Sequence, residues 1–261
     1  MARLDSELVA RGISRSRERA KEMIKNGNVT VNGKVVTKPA YDVLDEDEIV
    51  SAENELYVGR GALKLEKAAK EFCLDFTGTI CLDIGASTGG FTDYMLQNGA
   101  ARVFAVDVGH GQLVQSLRED SRVVNAEGTD VRTLTTEFLG GEVDFICADV
   151  SFISLKMILP KMYELLKEGA CAAVLIKPQF EAGRSNIGKN GIVKDKKVHE
   201  QVLRDIDSFA LSTGFFTEKY TYSPIKGGSG NIEYLVKLVK DRRPPVIHDF
   251  RSLAEEAFRQ L

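Results

Sequence analysis

The sequence predicts an α/β protein with a mostly parallel seven-stranded sheet that ends in a terminal antiparallel strand, preceded by a small N-terminal α+β module. From about residue 59 to residue 240, apolar strand-like runs alternate with helix-like segments, as in a sheet with crossover helices. Residues 1–52 instead show two short amphipathic helices and a hairpin signal, and a short polar stretch follows them. We therefore predict a module at 1–52, a linker at 53–58, a large domain at 59–240 and a C-terminal helical tail at 241–261.

The N-terminal module begins with a predicted helix at residues 3–10. Ser14 is a suitable N-cap for a second helix at residues 16–25, because its hydroxyl can accept a hydrogen bond from the first turn. Gly27 suits the position after that helix, where a left-handed conformation is common. The pair Asn32-Gly33 lies between β-forming residues and is a strong signal for a two-residue hairpin.

The large domain consists of predicted strands that alternate with predicted helices. The strands are expected at residues 79–84, 102–106, 123–126, 143–148, 170–176, 215–222 and 233–239. The helices are expected at residues 62–72, 112–118, 155–166 and 197–213, and one more follows the first strand as far as about residue 97. The last two strands are joined without a helix, so they should form a hairpin-like end to the sheet. The polar stretch 181–196 and the glycine-rich connection 223–231 are expected to be mobile loops.

Charge is distributed unevenly along the chain. The formal net charge is −3, but residues 1–40 hold nine Arg or Lys against four Asp or Glu, an excess of +5. Residues 41–55 then hold seven acids and no base. This asymmetry indicates a basic N-terminal surface that could neutralise phosphates, although a solvated helix face would have the same composition.

The hydrophobic residues indicate a soluble protein. No apolar run approaches the roughly 18 residues of a membrane-spanning helix, and residues 1–5 do not begin an apolar stretch of the signal-peptide kind. We therefore expect a cytoplasmic protein without a membrane partner. The four cysteines form no C-x-x-C pair and are expected to be reduced and mostly buried. His110, His199 and His248 lack metal-ligand spacing, so we expect surface or loop positions and no metal site.

A glycine-rich turn at residues 83–91 follows the first predicted strand of the large domain. A dinucleotide site is one interpretation, but the spacing of Gly85, Gly89 and Gly90 matches G-x-G-x-x-G poorly. A hydrolase elbow is a second, because residues 85–89 fit G-x-S-x-G, yet neither later histidine falls where a catalytic triad needs it. The third interpretation is a turn that binds S-adenosylmethionine (SAM), in which glycines allow close approach of the backbone.

Acidic residues at successive strand ends favour the SAM interpretation. Asp83 could accept from the ammonium group of SAM, Asp107 from the ribose hydroxyls, and Asp130 could meet the adenine edge. A pyrophosphate would be repelled by these acids, whereas Asp107 and Asp130 could also be ordinary helix caps. The predicted cofactor-binding residues are Asp83, Gly85, Ala86, Ser87, Thr88, Gly89, Gly90, Phe91, Asp107 and Asp130.

Four further residues, Lys64, Asp149, Lys177 and Glu233, are predicted to meet at one edge of the sheet. Lys64 opens the helix before the first strand, and the other three lie at or beside strand ends. Ligands of open α/β sheets bind outside the carboxyl ends of the strands, so residues distant in sequence can meet there. Two amines and two carboxylates could orient a weak hydroxyl nucleophile, accept its proton or stabilise the developing charge. Taken singly, each lysine could equally be solvated, and Asp149 could cap a helix.

The N-terminal module resembles the alpha-L RNA-binding module, which occurs in a small-subunit ribosomal protein and in several RNA-modifying enzymes. The residues that carry the resemblance are Arg3-Leu4-Asp5, Leu8, Gly12, Ser14-Arg15, Ala20, Ile24, Gly27, Val29, Val31-Asn32-Gly33 and Lys38-Pro39. The resemblance implies that basic side chains bind RNA phosphates and fix orientation without reading bases. The predicted RNA-binding residues are Arg3, Arg15, Arg17, Arg19, Lys21 and Lys34.

The whole chain resembles the TlyA-type proteins, long labelled hemolysin A, which join an alpha-L module to an FtsJ-like RNA ribose 2′-O-methyltransferase. The matching stretches are 61–65 (GALKL), 85–91 (GASTGGF), 107–113 (DVGHGQL), 148–155 (ADVSFISL), 177–181 (KPQFE) and 229–234 (SGNIEY). FtsJ-like enzymes use a Lys-Asp-Lys-Glu tetrad, which the resemblance assigns to Lys64, Asp149, Lys177 and Glu233. It further implies a Rossmann-like SAM-dependent methyltransferase fold, SAM as cofactor, and methylation of cytidine in ribosomal RNA or ribosomal subunits.

Our hypothesis for the tetrad places Lys177 nearest the ribose hydroxyl, with Asp149 orienting it. Lys64 would assist electrostatically, and Glu233 would position Lys64 or the ribose. Whether Lys177 takes the proton or only orients the hydroxyl stays open, because burial and a second amine lower a lysine pKa while a carboxylate raises it. Two rival functions also stay open: a membrane-lytic protein, as the hemolysin label suggests, and an RNA-binding ribosome-assembly factor without catalysis.

Overall fold

The computed structural model describes residues 2–11, 13–14, 16–51 and 57–261. The chain divides into two compact units, Met1–Gly59 and Arg60–Leu261. Residues 53–56 of the predicted linker lie outside the described residues, and the predicted helical tail is part of the second unit.

The first unit combines helices with short antiparallel strands. Its described helices are α1 (Leu4–Ala10) and α2 (Arg17–Lys25). Its described strands are β1 (Ala2–Arg3), β2 (Val29–Val31), β3 (Lys34–Val35), β4 (Asp42–Val43) and β5 (Ile49–Ser51). Strand β1 pairs with β4, and β2 lies between β3 and β5. The helices and strands share one apolar core that includes Leu8, Met23 and Val29.

The start of α2 differs from the prediction, whereas the hairpin agrees with it. Ser16, not Ser14, is the N-cap, because its side chain accepts from the Arg19 N–H at 3.2 Å. The Ser14 hydroxyl instead donates to the Ser16 carbonyl oxygen at 3.1 Å. Asn32 and Gly33 have φ angles of +50° and +76°, the left-handed pair that a two-residue hairpin turn favours.

The second unit is built around a seven-stranded sheet. Its strands are β6 (Ile80–Ile84), β7 (Arg102–Asp107), β8 (Val123–Glu127), β9 (Val143–Ala148), β10 (Leu166–Ile176), β11 (Phe216–Tyr222) and β12 (Tyr234–Val239). Its helices are α3 (Ala62–Phe72), α4 (Gly90–Gln97), α5 (Gln115–Arg118), α6 (Thr136–Leu139), α7 (Leu159–Leu165), α8 (Pro178–Glu181), α9 (Lys196–Thr213) and α10 (Phe250–Gln260). The spatial order of the strands is β11-β12-β10-β9-β6-β7-β8.

The strand directions confirm the predicted mostly parallel sheet with an antiparallel end. Strands β6 to β10 pair in parallel, and β12 runs antiparallel between β10 and β11. The first residue of β12, Tyr234, is therefore opposite the last residue of β10, Ile176. The start of β12 thus lies at the same edge of the sheet as the ends of the parallel strands.

Several boundaries in the second unit differ from the prediction. The expected helix at 155–166 is divided into a 3₁₀ turn (Leu155–Met157) and α7, and Leu166 already belongs to β10. Pro160 lies in the first turn of α7, where its missing N–H costs nothing, so the helix starts there. The expected helix at 112–118 is reduced to α5.

Alternating side chains of the sheet face two different packing layers. Leu82 of β6 joins the large core cluster that includes residues of α7 and α9. Cys147 of β9 faces α4 on the other side, where its sulfur lies 3.9 Å from that of Met95. Cys81 and Cys147 are buried free thiols, whereas Cys73 is an exposed one. No helix among the described residues is long and apolar enough to cross a bilayer.

Candidate active site

Lys177, Asp149, Lys64 and Glu233 form a continuous chain of alternating charge, which we call the tetrad. Lys177 Nζ lies 2.5 Å from Asp149 Oδ1. Lys64 Nζ donates to Asp149 Oδ2 at 3.2 Å and to Glu233 Oε2 at 2.8 Å. The exposed fractions of their side chains are 10% for Lys177, 19% for Asp149, 9% for Lys64 and 2% for Glu233. The structure thus brings the four predicted residues into one nearly buried cluster.

The topology of the sheet explains this convergence. Asp149 directly follows β9 and Lys177 directly follows β10, so both residues lie at the carboxyl edge of the parallel strands. Glu233 precedes β12 and reaches the same edge because that strand runs antiparallel. Lys64 lies in the first turn of α3, the helix that leads into β6. A cation at this end of a helix is opposed by the helix dipole, so Lys64 is not placed there for helix stability.

The carboxylates decide the charge state of the tetrad. Burial lowers the pKa of Lys64, but Asp149 and Glu233 outweigh burial, and the pKa ends above its ordinary value. Burial raises the pKa of Asp149, but Lys64 and Lys177 outweigh it, and the pKa ends below its ordinary value. At neutral pH the cluster therefore holds a Lys64 ammonium and an Asp149 carboxylate. Because buried charges are costly to maintain, their concentration at one sheet edge indicates a functional site.

Ser151 is a tetrad neighbour that the sequence analysis did not identify. Its hydroxyl accepts a hydrogen bond from Lys177 Nζ at 3.0 Å. A lysine ammonium has three donors, and the Asp149 ion pair and the Ser151 hydrogen bond engage at most two of them. One donor of Lys177 is left for an acceptor outside the tetrad. The signal in the sequence was a small polar residue two positions after the predicted strand-end acid.

Glu233 is enclosed by two further neighbours. Gln179 Nε2 donates to Glu233 Oε1 at 3.4 Å. A Cβ atom on Gly227 would overlap the same Oε1, so only a glycine lets this part of the 223–231 connection lie against the carboxylate. The glycine content of the connection was visible in the sequence, but its contact with Glu233 was not.

Phe152 is an exposed aromatic residue close to the tetrad. It is 92% exposed and has a φ of +64°, a conformation that costs energy in a non-glycine residue. Its ring packs against Phe180 with centroids 5.1 Å apart, and the Phe180 ring lies 5.8 Å from Lys177 Nζ. The Glu181 carboxylate stabilises the loop that carries Phe152, because it accepts a hydrogen bond from the Ser154 hydroxyl at 2.6 Å. A large apolar face is therefore held open beside the amine.

The glycine turn passes directly beside the tetrad. Gly85, Ser87 and Gly89 have φ angles of +83°, +49° and +98°. A Cβ atom on Gly85 would come within 2.5 Å of the Asp149 carbonyl oxygen, so glycine is required at this close approach. Ser87 and Thr88 are exposed at the tip of the turn. The turn thus lies against the backbone of Asp149 and has an exposed tip.

The three predicted cofactor acids have different surroundings. Asp107 is fixed beside the turn, because its carboxylate accepts from the Ser87 N–H at 2.9 Å and the Gly109 N–H at 2.8 Å. Asp130 caps a 3₁₀ turn and pairs with Arg132, so its predicted contact with adenine stays a prediction.

Asp83 lies fully buried beneath the turn. Its carboxylate accepts from the Thr92 hydroxyl at 2.7 Å, and burial raises its pKa to about 6. An ammonium group could reach Asp83 only through the turn itself or through a bridging water.

These residues fit SAM better than a dinucleotide. The glycine turn, with its exposed Ser87 and Thr88, and the fixed Asp107 carboxylate could hold a cationic amino-acid group and a neutral ribose, whereas a pyrophosphate would meet negative charge. No group of His, Cys, Asp and Glu within the described ranges could hold a metal ion.

The predicted RNA-binding residues lie in the first unit. Asp5 is fully buried there, and its carboxylate accepts from Arg3 Nε and Nη2 at 3.0 and 2.9 Å. Arg17 Nη2 lies 3.4 Å from the same carboxylate, so Asp5 holds two half-exposed guanidinium groups together. The hydrogen bonds from Arg3 lower the pKa of Asp5 to about 2. Arg19 pairs with Glu22 at 2.6 Å.

The other predicted RNA contacts are less constrained. Lys21 is half-buried and Lys34 is exposed. Arg15 lies outside the described residues.

Comparison with known proteins agrees with the two-unit organisation. The family model for FtsJ-like methyltransferases matches residues 57–240, and that for the S4 domain matches residues 2–49. A Bacillus subtilis protein, YqxC, provisionally named an rRNA methyltransferase, is 48% identical over 90% of this chain and 85% of its own. The 16S/23S rRNA (cytidine-2′-O)-methyltransferase TlyA of Mycobacterium tuberculosis is 44% identical over 91% of this chain and 89% of its own.

A solved structure supports the same relationship. A Streptococcus thermophilus protein, provisionally named a hemolysin, is 43% identical and superimposes with a TM-score of 0.79 over 99% of this chain and 96% of its own. The family model of the methyltransferases covers more than half of the sequence, including all four residues of the tetrad. The chain therefore belongs to the FtsJ-like methyltransferase family and carries an S4 domain ahead of its methyltransferase unit.

Proposed function

We propose that this protein transfers a methyl group from SAM to the ribose 2′-hydroxyl of a cytidine in ribosomal RNA. The tetrad is the observation that carries the proposal, since its buried alternating charges lie beside a closely packed glycine turn. The TlyA protein of M. tuberculosis, named for this reaction, supports the choice of cytidine and of ribosomal RNA. The S4 domain supports an RNA substrate.

Bound SAM would supply an electrophilic methyl group on a sulfonium sulfur. The chain itself must then hold the ribose oxygen in line and close, and such alignment can supply much of a rate acceleration. Lys177 suits this task, because one of its three donors is left after Asp149 and Ser151. That donor would point at the ribose oxygen, orient its lone pair and stabilise negative charge as the hydroxyl proton passes to water.

Lys64 suits a different role from Lys177. It lies between two carboxylates, which keep it charged and direct its donors inward. Lys64 would therefore fix Asp149 and contribute positive potential, and Glu233 would fix Lys64. Asp149 would hold both amines at the spacing that the acceptor needs.

Phe152 supports a nucleoside as the acceptor. Its exposed ring packs on Phe180, the ring that lies 5.8 Å from Lys177 Nζ, and aromatic faces stack on unpaired bases in RNA recognition. We expect Arg3 and Arg17 of the first unit to bind RNA phosphates, which would fix orientation without reading bases.

Transfer of tritium from labelled SAM to ribosomal RNA tests the proposal. The wild-type protein should label RNA at a ribose 2′-oxygen, and Lys177→Ala should reduce the rate by at least about a hundred-fold while SAM still binds. Lys237→Ala is a matched control, because Lys237 pairs with Glu218 away from the tetrad.

One result would reject the proposal, and another would reject only the role of Lys177. RNA binding without methyl transfer by the wild-type protein would favour the assembly-factor alternative. Full activity of Lys177→Ala would leave methyl transfer in place but remove Lys177 from the mechanism.

A further inference from the structure

Val193 is a buried anchor point within the polar segment 182–194. It is 2% exposed, and its backbone N–H and carbonyl oxygen are both hydrogen-bonded to side chains from elsewhere in the second unit. The Val193 N–H donates to Asn231 Oδ1 at 3.0 Å, and the Val193 carbonyl oxygen lies 2.9 Å from His199 Nε2. Asn231 Nδ2 also donates to the Gly191 carbonyl oxygen at 2.8 Å. The segment predicted to be a mobile loop is therefore held at this point.

His199 extends the contact to β12, and its burial corrects the expectation of a surface or loop position. The ring lies on α9, is fully buried, and has Nδ1 2.9 Å from the Tyr234 hydroxyl oxygen. A carbonyl oxygen can only accept, so Nε2 donates to Val193 and Nδ1 accepts from Tyr234. Burial lowers the pKa of His199, which agrees with this neutral tautomer. We call Val193, His199, Asn231 and Tyr234 the Val193 clamp.

Two residues of the Val193 clamp, Asn231 and Tyr234, lie close to Glu233 of the tetrad in the sequence. Asn231 precedes Glu233 by two residues, and Tyr234 follows it directly. Strand pairing begins at Tyr234, and ahead of it the Glu233 carbonyl oxygen accepts from the Ser223 N–H at 2.8 Å. These backbone bonds leave the direction of the Glu233 side chain to its neighbours. The Glu233 carboxylate nevertheless has to stay within 2.8 Å of Lys64 Nζ.

We infer that the Val193 clamp positions Glu233, and through it Lys64, for methyl transfer; this inference rests on the function proposed above. His199 and Asn231 are then positioning residues, not catalytic ones. A fully satisfied buried polar network fixes a unique arrangement, whereas apolar side chains would leave the segment before β12 with its backbone bonds to Ser223 and Gly227 alone. Displacement by about 1 Å in such a site can reduce the rate by about a hundred-fold.

Asn231→Ala tests the clamp most directly. It should lower kcat by about ten-fold or more while the Kd for SAM changes less than about two-fold. Asn186→Ala is the matched control, because Asn186 lies in the same region of the chain and its side chain donates to the nearby Ala182 carbonyl oxygen. That control should keep the wild-type rate. Tyr234→Phe, which removes one hydroxyl, should lower kcat in the same direction by a smaller factor and serves if Asn231→Ala does not fold.

A double-mutant cycle separates positioning from general loosening of the fold. If the clamp acts through Glu233, Asn231→Ala should have no further effect in a Glu233→Gln background. Equal fold-losses in both backgrounds would overturn the inference. Unchanged kcat in Asn231→Ala and in Tyr234→Phe would overturn it as well.

Chemical labelling of Lys64 provides a readout that does not need activity. Competitive acetylation followed by mass spectrometry should show Lys64 several-fold more reactive in both Asn231→Ala and Glu233→Gln. The Glu233 carboxylate is displaced in the first variant and absent in the second, so it no longer favours the Lys64 ammonium. Lys237 should keep its reactivity in both variants. Unchanged Lys64 labelling in Asn231→Ala would contradict the clamp, whereas absent transfer by the wild-type protein would contradict only the proposed function.

Discussion

At the scale of single residues, the two lysines of the tetrad differ in what surrounds them. Lys64 is held between Asp149 and Glu233, and its donors are directed at carboxylates. Lys177 meets one carboxylate and the Ser151 hydroxyl. This asymmetry is the reason that we propose the outward role for Lys177 and the supporting role for Lys64. It also makes the position of Glu233 testable on its own.

Gly227→Ala should displace Glu233 without removing a charged group. The new methyl group would overlap Glu233 Oε1, and the flexible carboxylate would move away from Lys64. We expect kcat to fall about ten-fold or more, with unfolding free energy changed by no more than about 1 kcal/mol. Single-turnover methyl transfer and urea denaturation measure the two quantities.

Gly228→Ala is the control for that experiment, because a Cβ atom there meets nothing within 4 Å. Equal activity of the two alanine variants would show that the Glu233 position does not matter. Loss of activity in both would instead indicate that the connection needs glycine for its own conformation.

At the scale of elements, the sequence predicted the strands better than the loops. The strands that end at Ile84, Ala148 and Ile176 are apolar runs followed by turn residues or charges, so burial fixes their type and their ends. The segment around Val193 is polar in composition, and its order comes from partners about 40 residues away in sequence. No local pattern encodes such a contact, and His199 was misjudged for the same reason.

The end of β6 carries a prediction about pH. Asp83 joins three elements there, because its carboxylate accepts from Thr92 of α4 and from the Cys147 thiol of β9. Burial raises its pKa in the folded protein to about 6, above the ordinary value of 3.8. The folded state therefore binds this proton more tightly than the unfolded state, so the stabilisation is complete below pH about 4 and is lost as pH rises through about 6.

Asp83→Asn should remove this dependence on pH. The free energy of unfolding of the variant, minus that of the wild-type protein, should rise by about 2 to 3 kcal/mol between pH 4 and pH 7. Urea denaturation of both proteins across this range measures the difference. A difference that stays constant with pH would mean that folding does not change the pKa of Asp83. A difference that falls as pH rises would mean that folding lowers this pKa.

At the scale of the whole molecule, one unit carries the basic helix and the other carries the tetrad. The S4 family model and the FtsJ-like family model divide the chain in the same way. The predicted division rests on charge asymmetry and on the change from short helices to alternating strands, and both patterns are visible locally. They were insufficient for the bonds within the tetrad, which depend on the antiparallel insertion of β12 beside β10.

Arg17→Ala should weaken RNA binding without slowing chemistry. Loss of one phosphate contact should reduce the slope of log K against log salt by up to about 1 and raise KM for RNA at unchanged kcat. Arg204→Ala is the matched control, since Arg204 is 51% exposed against 55% for Arg17 but pairs with Glu200 on α9. Filter binding at several salt concentrations distinguishes them, and equal losses would indicate only a change in net charge.

Mapping of ribose 2′-O-methylation in ribosomal RNA tests the central claim most directly. Ribosomal RNA from cells that lack this protein should miss at least one cytidine 2′-O-methyl group, which the wild-type protein restores and Lys177→Ala does not. An identical methylation map with and without the protein would contradict the account, and so would full restoration by Lys177→Ala.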